Sequence, residues 1–151
     1  MIVVGRNSHY YILHFDVLDD LLYVYGEGPS AVDSALLVLE HWRNNLVLNG
    51  LQLNFLSLWT QLHGLLLEYQ HLDLAICMGH MLGMYERIDW DASTPKNIRF
   101  MRIRVRADPW HPLMAGFVLR LDNGDRIWIQ CRYERVHKIC TKCGLIGHNR
   151  P

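Results

Sequence analysis

The chain has 151 residues, half of them hydrophobic and a fifth charged, so it can bury a core and is not disordered by composition. Its formal net charge of zero hides a segregation: residues 1–50 sum to −4, residues 51–97 to −3, and residues 98–151 to +7. The basic third is where an anionic partner is expected. No signal peptide is visible, because Arg6, Asn7 and Ser8 interrupt any apolar run at the start. The uncharged stretch 46–67 is broken by Asn49, Gln52, Asn54, Ser57, Gln61 and His63, which argues against a membrane span. Together these features imply an intracellular protein of nucleus or cytoplasm, and four Cys without a secretory signal point to thiols or metal, not disulfides.

Taken in chain order, residues 1–4 and 10–15 read as short strands around a turn at 5–8. Asp16 is a candidate cap for a helix over 17–25, with Val17, Leu18, Leu21, Leu22 and Tyr25 as its apolar stripe and Gly26, Gly28 and Pro29 ending it. Residues 36–42 read as a strand, 44–54 as a connection and 56–63 as a strand. Residues 72–82 fit a second helix with Leu74, Cys77, Met78 and Met81 on one face, stopped by Gly83, and 85–90 return as a strand. Two strand–helix–strand units thus resemble each other faintly, with His14 and His63 at strand ends and Trp42 and Trp90 closing the units.

After a polar loop at 91–97, Met101, Ile103 and Val105 alternate with Arg102, Arg104 and Arg106, the period of a two-faced strand. Strands at 117–121 and 127–133 flank Asp122-Asn123-Gly124-Asp125. A two-residue loop there would mix the faces. A three-residue loop with Gly124 left-handed sets Leu119 opposite Ile127 and Phe117 opposite Ile129. That register sends Arg120, Arg126, Trp128, Gln130 and Arg132 to one side, which the arginines of 102–106 extend. Such a face suits phosphate through planar guanidinium forks, with Trp128 available for a base to stack on. Like-charged arginines on neighbouring strands repel, which favours an anionic partner.

The C-terminus carries Cys140-x2-Cys143-x4-His148, a spacing at which two thiolates and an imidazole close on one tetrahedral Zn2+. Gly144 and Gly147 give so small a loop its backbone freedom. This is the spacing of a CCHC zinc knuckle, whose last ligand falls five residues beyond His148, past Pro151. The site therefore has three of four ligands here, with His137 and Cys131 as non-standard candidates for the fourth.

Residues 46–151 resemble plant retroelement-derived proteins in which a domain of uncharacterised function precedes a C-x2-C-x4-H-x4-C knuckle. The matching stretches are Leu58-Trp59-Thr60-Gln61-Leu62-His63-Gly64-Leu65, Arg99-Phe100-Met101-Arg102-Ile103-Arg104-Val105, Trp128-Ile129-Gln130-Cys131-Arg132-Tyr133-Glu134-Arg135 and Cys140-Thr141-Lys142-Cys143-Gly144-Leu145-Ile146-Gly147-His148. Residues 10–43 resemble the later part of the same N-terminal domain, whose usual first strand and helix are absent or replaced by residues 1–8. Leu66 stands where those proteins tend to carry Pro. The resemblance implies zinc and nucleic-acid binding.

The expected fold is α+β, an antiparallel sheet with two helices packed on one face in split β-α-β-like units. It comprises a domain over 1–136, with subunits 1–50 and 51–136, and a knuckle tail over 137–151. The expected function is a zinc-dependent, weakly selective binder of single-stranded RNA or DNA. Cys140, Cys143 and His148 are to hold metal, and Arg102, Arg104, Arg106, Arg120, Arg126, Trp128, Arg132 and Lys142 are to meet nucleic acid. The second reading is an assembly module that self-associates through exposed edges and apolar surface. No membrane and no small-molecule substrate is expected. Nor is catalysis: Cys77 and His80 lie three apart on a helix, but Cys77 reads as a buried thiol, and no phosphate loop or paired carboxylate accompanies them.

Overall fold

A computed structural model describes residues 1–7, 10–32, 35–48, 53, 55–90, 98–137 and 139–146. The expected loop at 91–97 and His148 lie outside the described residues. The elements are β1 (Ile2–Asn7), β2 (Tyr10–His14), α1 (Leu18–Glu27), β3 (Ser30–Val32), β4 (Ala35–Leu37), β5 (Leu56–His63), a 3-10 turn (Leu67–Tyr69), α2 (Leu72–Leu82), β6 (Met84–Ile88), β7 (Met101–Ala107), β8 (Gly116–Arg120) and β9 (Arg126–Tyr133). The α+β expectation holds.

Five strands make one antiparallel sheet in the order β6-β7-β5-β9-β8, while β1-β2 and β3-β4 form separate two-stranded pairs. The sheet comes entirely from residues beyond 55, so the two similar units of the sequence are not equivalent in the fold. Its centre is β5, where alternate residues Leu58, Thr60 and Leu62 point into the core opposite Val105, Ile103 and Met101 of β7. Across β9 and β8, Cys131, Ile129 and Phe117 continue that apolar layer.

Helix α2 closes over this face, burying Ala75, Met78 and Gly79. Leu74 is half-buried, but Cys77 and Met81 are exposed, which corrects the expected stripe by one position. The cause is Gly79, where an added Cβ would lie 2.7 Å from Tyr85 Cβ. That close approach fixes which side of α2 meets β6. The helix is capped by His71, whose Nδ1 accepts from the Leu74 amide at 3.2 Å.

The hairpin register is as the sequence implies. Phe117 pairs with Ile129 and Leu119 with Ile127, and Gly124 holds φ +89° in the three-residue loop. The Leu121 amide donates to Asp125 O at 2.7 Å to close it.

The first 50 residues differ more. Val17, not Asp16, is the N-cap of α1, and no side chain caps it; Asp16 pairs instead with His14 at 3.2 Å. The helix continues through Gly26 to Glu27, and the strand expected over 36–42 is reduced to Ala35–Leu37. Nor does α1 join α2 on the core face. It buries no residue, and Tyr25 O in its last turn and Gly28 O at its C-cap accept from Arg104, which projects from the opposite side of the sheet. A polar anchor, not an apolar stripe, holds this helix.

Among the described residues no helix is long and apolar enough to cross a membrane.

Candidate metal loop and nucleic-acid interface

After β9 the chain turns at Glu134 and Arg135, and Ile139 then pairs with Ile146 in an isolated antiparallel bridge. Inside that bridge the Cys140 amide donates to Leu145 O at 3.0 Å and the Gly144 amide to Cys140 O at 2.9 Å. Gly144 sits at φ +75°, a conformation open to glycine at little cost. The result is a tight turn with Cys140 at its root, 2% exposed, and Cys143 on its exposed side.

Two soft thiols on one turn, with backbone amides ordering the loop between them, suit a divalent metal that prefers sulfur ligands. The donor set fits zinc as far as it is described. His148 lies outside the described residues, which alone contain no group of three metal-binding side chains. Cys131 is a poor fourth ligand. It belongs to the main core layer of β9, a different apolar cluster from the one on which the knuckle loop packs. His137 is exposed.

The loop is not a free tail. Val136, Ile139 and Ile146 pack against a second apolar cluster of Leu56, Leu58, Ala107 and Leu113. The Leu113 amide donates to Gly144 O at 2.8 Å.

The arginine face divides into two halves with different chemistry. On the β6-β7-β5 half the guanidinium groups are already engaged. Arg102 pairs with Glu134 at 2.6 Å and Asp89 at 3.0 Å, and its guanidinium lies 4.0 Å from the Trp59 ring centroid. Arg87 and Arg104 approach the same ring at 5.0 and 5.5 Å. Arg104 is 5% exposed, donates to the α1 carbonyls, and sits 3.5 Å from Glu86. Burial, foremost, lowers its pKa, with Arg87 and Arg102 adding to the effect and Glu86 and Glu27 opposing it. Arg102 and Arg104 therefore leave the set of side chains open to phosphate. Arg106 remains exposed and covers the Phe55 ring at 4.9 Å.

On the β9-β8 half the expected residues do come together in solvent. Arg120 lies directly opposite Arg126, and Arg126, Trp128, Gln130 and Arg132 follow at alternate positions of β9, all exposed. Trp128 is 56% exposed, and its ring is seated on Gly116, where a Cβ would come within 2.5 Å of Trp128 Cζ2. That glycine lets the indole lie down along the edge strand. Lys142 is exposed in the turn between the two cysteines.

Sequence reasoning missed one member of this surface. His63 pairs across to Gln130, bonds Gln61 Oε1 through Nε2 at 2.9 Å, and stacks on Phe100 at 4.8 Å between centroids. Its pKa is lowered, by burial first and then by the Arg132 and Arg99 charges. The signal was present in the alternation Trp59, Gln61, His63 on β5, which continues the arginine face across the central strand.

Residues 107–151 match the zinc knuckle family model. The match starts at the last residue of β7, so it takes in β8, β9 and the knuckle loop that packs on Leu113. An uncharacterised protein of Arabidopsis thaliana is 29% identical over 131 residues, 87% of this chain. The chain spans 41% of that relative's length. No solved structure matches the chain.

Proposed function

We propose that this chain is a zinc-dependent module that binds unpaired RNA or DNA with little sequence selectivity, as a binding protein and not an enzyme. The observation that carries the reading is the zinc knuckle match over 107–151, with Cys140 and Cys143 brought to one glycine-supported turn. Cys140, Cys143 and His148 are the ligand set. Zinc, when bound, cross-links the loop and fixes its backbone.

Arg106, Arg120, Arg126, Arg132 and Lys142 supply the phosphate contacts, and Trp128 the stacking surface for a base. A base reaches that ring only when unpaired, which is the reason for a single-stranded partner. Phosphate contacts position a chain without reading it, so low selectivity follows. The resemblance to retroelement-derived plant proteins supports a role alongside an element's own transcript or its copies.

The test is fluorescence anisotropy with labelled single-stranded RNA and DNA at rising salt. Five cationic contacts at about 0.7 each imply a slope of about −3.5 in log K against log salt. Absent or salt-insensitive binding refutes the proposal. The EDTA-stripped chain and Cys143→Ser are expected to bind more weakly, and Arg126→Gln with Arg132→Gln to lower the slope.

A second reading, self-association, is favoured by one observation. Ile2, Val3, Val4, Tyr11 and Ile12 on the β1-β2 hairpin are 44–57% exposed beside an unpaired strand edge. Sedimentation velocity tests it; a monomer at all concentrations excludes it.

A further inference from the structure

The sheet segment that meets the knuckle makes contacts a free tail does not need. The Leu113 amide donates to Gly144 O at 2.8 Å, and a Cβ on Gly144 would lie 2.6 Å from Leu113 O. Backbone meets backbone at that point, and glycine is what admits the approach. Flanking it, Ile139 and Ile146 face Leu113, Leu58 and Ala107. Two residues on, Ala115 O accepts from the Cys131 amide at 2.9 Å, which ties this segment into β9. The metal loop and the core of the sheet are thus joined through one short segment, 113–115.

We infer that the knuckle is a metal-operated clasp on the sheet: Leu113, Ile139 and Ile146 are positioning residues for the metal loop, and zinc held there stabilises β8, β9 and β5 along with the tail. The inference rests on the zinc reading above and goes beyond it. A ligand that binds only the folded form stabilises every part of the molecule whose opening destroys its site. A loop docked by backbone hydrogen bonds and a shared apolar cluster cannot keep its arrangement while the Leu113 segment opens. A loop swinging on a linker would protect itself alone.

The experiment is amide hydrogen exchange on the full chain, stripped with EDTA and then given Zn2+, with Co2+ absorption reporting metal binding separately. At zinc a hundredfold above its Kd, the Leu113, Cys131 and Glu134 amides are expected to exchange about 100-fold more slowly. The Leu21 amide of α1, which donates to Val17 O at its own helix's N-cap, is the control and stays unchanged. If cobalt absorption shows metal bound while the three amides do not slow, the clasp is refuted and zinc binding survives. If no metal binds, both readings fall. Ile146→Ser removes an apolar contact and keeps both thiols. It is expected to bind cobalt yet lose the slowing at Cys131 and Glu134, and full slowing in that variant overturns the inference.

Discussion

Replacing Arg104 with Met separates a structural arginine from a phosphate-binding one. The side chain is 5% exposed and donates to Tyr25 O at 3.1 Å and Gly28 O at 3.3 Å. Charged hydrogen bonds contribute about 1.5–3 kcal/mol each, and breaking a buried pair costs about 3–5 kcal/mol. Two effects temper the sum. Methionine does not bear the desolvation that lowers the arginine's pKa, and Glu86, left behind, is 31% exposed and keeps its bond from Ser57 Oγ at 2.7 Å. The expected net loss is therefore about 2–4 kcal/mol. It is read as a fall in the urea midpoint of about 1–2 M for an m-value near 2 kcal/mol/M. Because α1 buries nothing else, its far-UV helical signal is expected to weaken first. Nucleic-acid binding, measured where the variant is folded, should keep its salt slope, whereas Arg132→Gln should lower the slope by about 0.7. A stable R104M protein with a reduced slope refutes the division of the arginine face.

Three further outcomes follow from single sites. Leu66 already holds φ −63° and ψ 146°, which proline adopts, so Leu66→Pro is expected to raise stability by about 0.4–1 kcal/mol in thermal melts; destabilisation would show that its amide is needed. His63 has a pKa lowered below 6.5, so below that pH the unfolded chain takes up a proton that the folded chain refuses. Stability should accordingly be level above pH 6.5 and fall as pH drops from there towards the folded value, and His63→Gln should flatten that limb in urea titrations. Cys77 is exposed while Cys131 is buried with a pKa near 11, so iodoacetamide at neutral pH should label Cys77 and spare Cys131 until urea is added.

How far the sequence reaches depends on how local the deciding contact is. The β8-β9 register was legible because Gly124 and two alternating strands lie within 18 residues, and β5, β7 and α2 because each carries its own period. What covers each face was not. Arg102, Arg104 and Arg106 look equivalent along the chain, yet Arg104 meets Gly28, 76 residues away, and Arg102 meets Glu134, 32 residues away. The rotation of α2 hangs on Gly79 against Tyr85, a contact set by the turn at Gly83. In the metal loop, the thiols and Gly144 declare themselves by spacing. That Gly144 also meets Leu113 is a tertiary fact without a sequence period, and deleting the tail would expose the Leu58 and Leu113 cluster. Point substitutions at Cys143 or Lys142 are the cleaner way to divide the two surfaces.

Those two surfaces lie on different sides of the sheet, which constrains the path of a nucleic acid. The knuckle is anchored among Leu56, Leu58 and Ala107, side chains on the α2 face, whereas Trp128 and the free arginines occupy the other. Yet the Leu113 contact and the Gly116 seat of Trp128 are three residues apart, at most about 11 Å of extended chain. A strand that meets both must therefore pass round the start of β8, the edge strand of the sheet. A single nucleotide stacked on Trp128 is too short to make that turn, while an oligonucleotide within the usual range of about 4–16 nucleotides per binding face can. Trp128→Ala should then cost about 1–3 kcal/mol of affinity for either length. Lys142→Gln should weaken only the longer ligand and lower only its salt slope. An equal effect of Lys142→Gln on both lengths would place the lysine beside the tryptophan and break the argument that the strand rounds this edge.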